Sequence, residues 1–232
     1  MEKEEKFIPK IEVVESGDGS STLWAPDFDE HYHSIHGALA ESMHVFLDSG
    51  LFQFEEGKDQ PIAIFEMGFG TGLNAMLTQL YKGNRKIHYT SLEKYPVPEE
   101  AWSQLNYGNF VEKEGAKELF EALHQAVWNE NVPLADDFIL NKVEGDLLSF
   151  EPSSAFDLIY FDAFAPSSQA YLWSEEVMAK IYHWCNDGAI FTTYSAKGDV
   201  RRALLKAGFE VEKIPGPPRK REMIRAFKTG NA

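Results

Sequence analysis

"IAIFEMGFGTGLNAML", residues 62–77, decides the fold. It opens as an apolar run, reaches an acid at Glu66, breaks into glycines at Gly68, Gly70 and Gly72, and turns helical from Thr71. A strand, a glycine loop and a helix form a unit in which backbone can approach a ligand closely and the helix start offers free N–H groups to an anion. The spacing is G-x-G-x-G, whereas the dinucleotide fingerprint places its third glycine one position later. No Gly-Lys-Ser/Thr follows, so a P-loop is excluded. Glu66, just before the loop, would repel a pyrophosphate and suit an ammonium group. A ligand with a carboxylate for the helix end and an amine for Glu66 is an amino acid, such as the methionine part of S-adenosylmethionine.

Outward from this unit the pattern alternates. Strands are expected at 62–66, 87–93, 138–146, 156–163 and 189–195, with helices at 71–81, about 98–105, 111–130, 174–185 and 197–207. Such alternation predicts an α/β fold with a mostly parallel sheet covered by helices on both faces. The last stretch, "GFEVEKIPGPPRKREMIRAFK", has no helix between its two extended runs and should close the sheet as an antiparallel hairpin. This is the Rossmann-like arrangement of class I methyltransferases, with ligands at the carboxyl ends of the strands. Ahead of it, "KIEVVESGDGSSTLWAPDF" reads as a small β-hairpin and "IHGALAESMHVFLDSGLF" as a helix stopped near Gly50. Residues 1–50 are expected as an extension packed on a methyltransferase domain of residues 51–232.

The 232 residues can bury a full core, and 44% apolar with 25% charged is ordinary for a soluble chain. The charged start "MEKEEK" and the lack of a long apolar run argue against a signal peptide or a membrane span, which points to the cytoplasm. One cysteine, Cys185, leaves no disulfide framework and no Cys-rich zinc site. The net charge of −15 is uneven: from Ala196 onward ten basic residues face four acids, leaving −21 on the remainder. A basic end on an acidic body marks either a polyanion-binding face or a solvated Lys/Arg-rich surface.

Four successive strands end in acids: Glu66, Glu93, Asp146 and Asp162. Glu93 is placed to accept the hydroxyls of a ribose and Asp146 an adenine amino group; Lys94 joins them in the expected cofactor set. The cofactor expected from this series is S-adenosylmethionine. No metal is expected, because no Asp-x-Asp or His-x-x-Glu arrangement accompanies the acids. His31, His33 and His36 in "HYHSIH" resemble ligands but read better as the lead into a helix.

Asp162 in "YFDAFAPSSQAYLW" leaves its strand where the reactive sulfonium should lie, with Phe164 and Pro166 shaping the turn. For an amine acceptor a carboxylate there would act as general base or orient the nucleophile; otherwise it caps the turn. Phe164, Trp173 and Tyr194 are candidates to stack on a flipped-out base, or else core residues. Lys197, Arg201, Arg202, Arg219, Lys220 and Arg221 could hold an RNA backbone beside the pocket.

With "FDEHYHSIHGALAESMHVFL", "FEMGFGTGLN", "SLEKYP", the Gly145–Asp146 pair, "FDAFAPSSQAYLW", "SAKGDVRRALLKAGF" and "GPPRKREM" in order, the chain resembles the methyltransferase part of the MnmC family of bifunctional tRNA wobble-uridine enzymes. The resemblance implies methyl transfer from S-adenosylmethionine to 5-aminomethyl-2-thiouridine in tRNA, giving 5-methylaminomethyl-2-thiouridine. It implies the catalytic role for Asp162, and makes Ser34, Gly37 and Glu41 neighbours of the site. The family's FAD-dependent oxidase domain has no counterpart here, so the expectation is a stand-alone methyltransferase whose amine comes from a separate enzyme. Against it stand a methyltransferase of small-molecule or protein amines and, from another class, an NAD-dependent oxidoreductase, which the position of Glu66 disfavours.

Overall fold

The computed structural model describes residues 7–230; the charged start, on which the absence of a signal peptide was argued, lies outside them. The first sheet is small and antiparallel. Strands β1 (Glu12–Glu15) and β2 (Ser21–Ala25) flank a turn in which Asp18 accepts from the Ser16 hydroxyl and the Ser20 amide. A short β3 (Glu30–His31) adds a third strand that the expected hairpin did not include. It is fixed by the Trp24 ring over His31, 4.5 Å between centroids.

The second sheet has eight strands: β4 (Ile62–Met67), β5 (Ile87–Glu93), β6 (Asn131–Ala135), β7 (Phe138–Glu144), β8 (Phe156–Phe161), β9 (Cys185–Thr193), β10 (Glu210–Pro215) and β11 (Glu222–Phe227). Their spatial order is β10-β11-β9-β8-β4-β5-β7-β6; β9, β8, β4, β5 and β7 pair in parallel, β6 pairs antiparallel with β7, and β11 pairs antiparallel with both β9 and β10. The order reverses at β4, whose neighbours are β8 and β5. A switch of this kind opens a crevice beyond the carboxyl ends of the strands.

Side chains alternate along a strand, so each parallel strand feeds two cores. Along β4, Ile62 and Ile64 join one apolar cluster while Phe65 and Met67 join the other. The first cluster carries α1 (Ala38–Ser42), α2 (Leu73–Tyr81), α3 (Glu99–Trp102), α4 (Tyr107–Phe110) and α5 (Ala116–Gln125). The second carries α6 (Glu175–Trp184) and α7 (Gly198–Ala207), with Cys185 buried among them.

Two expected helices are corrected. The helix at 35–52 is α1 running into a wider π-helical turn, Met43–Asp48, and a 3-10 turn, Leu51–Gln53. The helix at 111–130 is only α5, preceded by α4 and ended at Ala126, where the backbone turns extended. Beyond it the chain forms β6, an antiparallel edge strand whose Pro133 sits where a missing N–H is tolerated. Among the described residues no helix is long and apolar enough to cross a membrane.

Candidate active site

The glycine loop and the turn after β8 face each other across the switch point. Gly68, Gly70 and Gly72 all have positive φ (90°, 49° and 73°), and a side chain on any of them would crowd a neighbour. A Cβ on Gly70 would lie 2.9 Å from the Tyr32 ring, and one on Gly68 3.3 Å from the carbonyl of Asp162. The loop is thus pressed between the chain leaving β3 and the chain leaving β8. Its far end is tied down by Thr71, whose hydroxyl bonds His33 Nε2 at 2.6 Å and whose carbonyl meets His124 Nε2 at 3.0 Å. Burial pushes His33 down to about 4, so it is a neutral hydrogen-bonding group.

Against this loop lies a cleft of about 730 Å³. On its β5 side Glu93 accepts from the amides of Gly70 (3.0 Å) and Tyr95 (2.8 Å). Burial pushes its pKa up against those donors. Lys94 pairs with Asp146 at 2.8 Å, and Asp146 also accepts from the Leu148 amide. Burial opposes ionisation of Asp146, but these partners outweigh it and hold the acid below its usual range. Phe28, Tyr95, Phe164 and Tyr171 supply flat apolar walls, with Phe28 5.2 Å from Phe164 and 6.1 Å from Tyr95.

A second cavity of about 680 Å³ lies beyond Asp162, walled by Glu30, Glu41, Tyr194 and Lys220. Tyr32, His33, Asp162, Ala163 and Phe164 line both spaces. Asp162 is therefore part of the partition. It is half-buried, and Asn74 Nδ2 donates to its Oδ2 at 2.9 Å. Burial raises its pKa to about 7; the Asn74 bond and Lys220 pull it down and the Glu41 charge pushes it up. The turn is braced by Tyr194, whose hydroxyl donates to the Ala163 carbonyl (2.9 Å), and by Trp173 Nε1, which donates to the Phe164 carbonyl (2.8 Å). Trp173 is buried and acts in packing, not in the cavity wall.

The structure brings together Gly68, Gly70, Thr71, Glu93, Lys94, Asp146 and Asp162 around one cleft. Gly72 of the expected set does not line it, and neither does Glu66, whose expected contact with a ligand ammonium is corrected. Glu66 shares the face of Ile62 and Ile64, lies wholly buried under the loop, and is not part of the cleft wall. Of the basic residues only Lys220 reaches the second cavity, bonded to Glu41 at 2.8 Å with its ammonium 4.4 Å from the Tyr194 ring centroid. Arg219 bonds His36 at 3.1 Å, Arg202 pairs with Asp199, and Lys197, Arg201 and Arg221 are exposed. Among the described residues no group of three potential metal ligands occurs. Sequence reasoning missed Tyr32, Asn74, Tyr95 and Tyr171 as wall residues. Asn74 carried a signal, standing three residues past Thr71 in the first turn of α2, where a side chain looks back toward the loop.

A family model described as S-adenosyl-L-methionine-dependent methyltransferase matches residues 114–229. The tRNA 5-methylaminomethyl-2-thiouridine biosynthesis bifunctional protein MnmC of Cupriavidus metallidurans is 34% identical over 240 residues, covering 95% of this chain and 34% of that protein. The protein of the same name from Campylobacter hominis is 33% identical, covering 90% of this chain and 32% of its own length. The chain thus spans about a third of the length of the curated relatives it matches. The crystal structure of MNMC2 from Aquifex aeolicus superposes with a TM-score of 0.75 at 24% identity, covering 97% of this chain and 72% of that one, and so shares the fold.

Proposed function

The chain belongs to the family of S-adenosyl-L-methionine-dependent methyltransferases, and from that premise we propose that it methylates the primary amine of 5-aminomethyl-2-thiouridine at the tRNA wobble position, yielding 5-methylaminomethyl-2-thiouridine. The observation that carries this reading is the partition: one carboxylate, Asp162, borders both a cleft suited to the donor and an aromatic, acidic cavity suited to an amine. The relatives named for 5-methylaminomethyl-2-thiouridine biosynthesis support the choice of acceptor.

The cleft fits the cofactor by the chemistry of its donors. The loop at Gly68–Gly72 gives close backbone approach and, with Thr71, a helix start for a carboxylate. Glu93 takes the ribose hydroxyls, and Lys94 and Asp146 border the adenine. When bound, S-adenosylmethionine supplies a methyl group open to in-line displacement. The chain's part is to aim the acceptor nitrogen and manage its proton. Asp162, poised near neutrality, accepts a proton from the incoming ammonium or orients the free amine through its remaining N–H. Phe164 and Tyr194 flank the base and favour the neutral amine by desolvation. Lys197, Arg201, Arg202, Arg219, Lys220 and Arg221 contact phosphates without reading sequence. In the same reading residues 1–50 form the extension and 51–232 the methyltransferase domain, in a cytoplasmic enzyme that receives its aminomethyl substrate from another activity.

Incubation with labelled S-adenosylmethionine and tRNA from cells lacking wobble methylation, followed by digestion to nucleosides, tests the assignment. A labelled 5-methylaminomethyl nucleoside is the expected product. Label in a small-molecule or protein amine, with none in tRNA, would move the acceptor to the competing class.

A further inference from the structure

The acceptor cavity holds a cation of the chain's own. Among its described lining residues Lys220 is the only lysine or arginine, set against the acids Glu30, Glu41 and Asp162. Its ammonium bonds Glu41 Oε2 at 2.8 Å and stands 4.4 Å from the centroid of the Tyr194 ring. A carboxylate on one side and an aromatic face on the other are what an ammonium group binds. Both are fixed from behind. Glu41 Oε1 accepts from the Ser34 amide at 3.0 Å, and the Tyr194 hydroxyl donates to the Ala163 carbonyl at 2.9 Å. Lys220 reaches in from a turn closed by its own amide on the Pro217 carbonyl (2.9 Å). That backbone has no slack, since a Cβ on Gly216 would lie 2.6 Å from the Lys220 carbonyl oxygen. The Lys220 side chain is 40% exposed against 11% for Glu41, so it can swing outward while the carboxylate stays. Outside, Arg219 and Arg221 flank it on the exposed loop.

We propose that the Tyr194 face and Glu41 form a seat for the ammonium of the substrate, that Lys220 fills this seat in the free protein, and that Lys220 vacates it by turning to an RNA phosphate as the acceptor enters. The inference rests on the tRNA reading above. The charges of Glu41 and Lys220 both act on Asp162, so the seat lies within the field of the shared carboxylate. One ammonium replaces another, so Glu41 is never left unpaired in a cavity it shares with Asp162, which would be costly. The exchange moves no proton; the proton passes to Asp162 afterwards. Lys220 thereby determines specificity. An amine without phosphates must displace it unaided, whereas RNA offers it another partner.

Benzylammonium, a primary ammonium one carbon from a flat ring, probes the seat by calorimetry while S-adenosylhomocysteine fills the donor cleft. Lys220→Met empties the seat, so benzylammonium should bind about tenfold more tightly than to the unaltered protein. Adding Glu41→Gln should cancel the gain. Equal or weaker binding to Lys220→Met overturns the proposal, as does a gain that survives Glu41→Gln. The unaltered protein gives a readout that needs no variant to fold. An anticodon-type RNA hairpin, abasic at the wobble position, supplies phosphates and leaves the cavity empty. It should tighten benzylammonium binding about tenfold, and Lys220→Met should abolish that coupling. A hairpin that binds without coupling overturns the exchange. A hairpin that does not bind removes the tRNA reading and the phosphate step together, while Lys220→Met still decides the seat. In turnover, Lys220→Met should move two acceptors in opposite directions, lowering KM for the free nucleoside 5-aminomethyl-2-thiouridine and raising it for tRNA, each about five- to tenfold. A rise for both would make Lys220 a plain substrate contact and overturn the proposal.

Discussion

The two cavities that meet at Asp162 are built in opposite ways. The floor of the donor cleft comes from short contiguous stretches at 67–74, 93–95 and 146–147, placed by the ends of β4, β5 and β7. Its key contacts are made by backbone: the amides of Gly70 and Tyr95 hold Glu93, and that of Leu148 holds Asp146. The acceptor cavity is assembled from residues 30, 41, 162, 194 and 220, joined by side-chain bonds such as Lys220 to Glu41 and Ser168 to Glu30. Backbone placement is set by strand and loop geometry. Side-chain placement depends on segments some 180 residues apart, so one half of the site is set by the fold and the other by what is laid upon it.

Changes at the shared wall should have the largest effect. Asp162→Asn keeps the hydrogen-bonding shape but cannot take a proton, and kcat should drop by about 10²–10⁴ while cofactor affinity holds. Single-turnover methylation with calorimetry of donor binding checks both, and equal turnover would remove Asp162 from the mechanism. On the donor side, Glu93→Ala should weaken S-adenosylmethionine binding by about 1.5–3 kcal/mol, since it breaks charge-assisted bonds and frees the Gly70 amide. Unchanged affinity would show that the loop holds the ribose without it. On the acceptor side, replacing Arg219, Lys220 and Arg221 together should raise KM for tRNA and flatten its dependence on salt, with donor affinity intact. A steep salt slope that survives would place the phosphate track elsewhere. The smallest effect is on stability. The Glu66 carboxyl, raised from 4.5 to about 8, stabilises the folded protein while it keeps its proton. That contribution is complete below pH 4.5 and is lost as pH rises toward 8. Unfolding curves of Glu66→Gln should lack this decline.

The same contrast explains what could be read from sequence. The parallel strands, the glycine loop, Glu93, Asp146 and Asp162 were legible because period and spacing fix them. β6 was not: "NVPLA" comes after an apolar helical pattern without a break, and its Pro133 argues against a strand until an edge position is known. The direction of Glu66 was legible and was overlooked, since the period of two that sends Ile62 and Ile64 into the first core carries Glu66 with them. Tyr32 in the acceptor wall had no local signal, and Lys220 was marked only as one of six basic residues, with nothing to single it out for the wall. Tyr32 matters because of Gly70, and Lys220 because of Glu41 and Tyr194.

Tyr32 set against Gly70 has a consequence for how the protein acquires activity. The ceiling of the cleft is supplied by residues 28–33, yet the floor it covers is finished only when β8 and its turn are in place, and the acceptor wall only when residue 220 has docked. Contacts of such long sequence separation form late, because the loops they close are long. In refolding, helical signal should therefore return well before methyl transfer, and the catalytic wall should be among the last parts of the molecule to become itself.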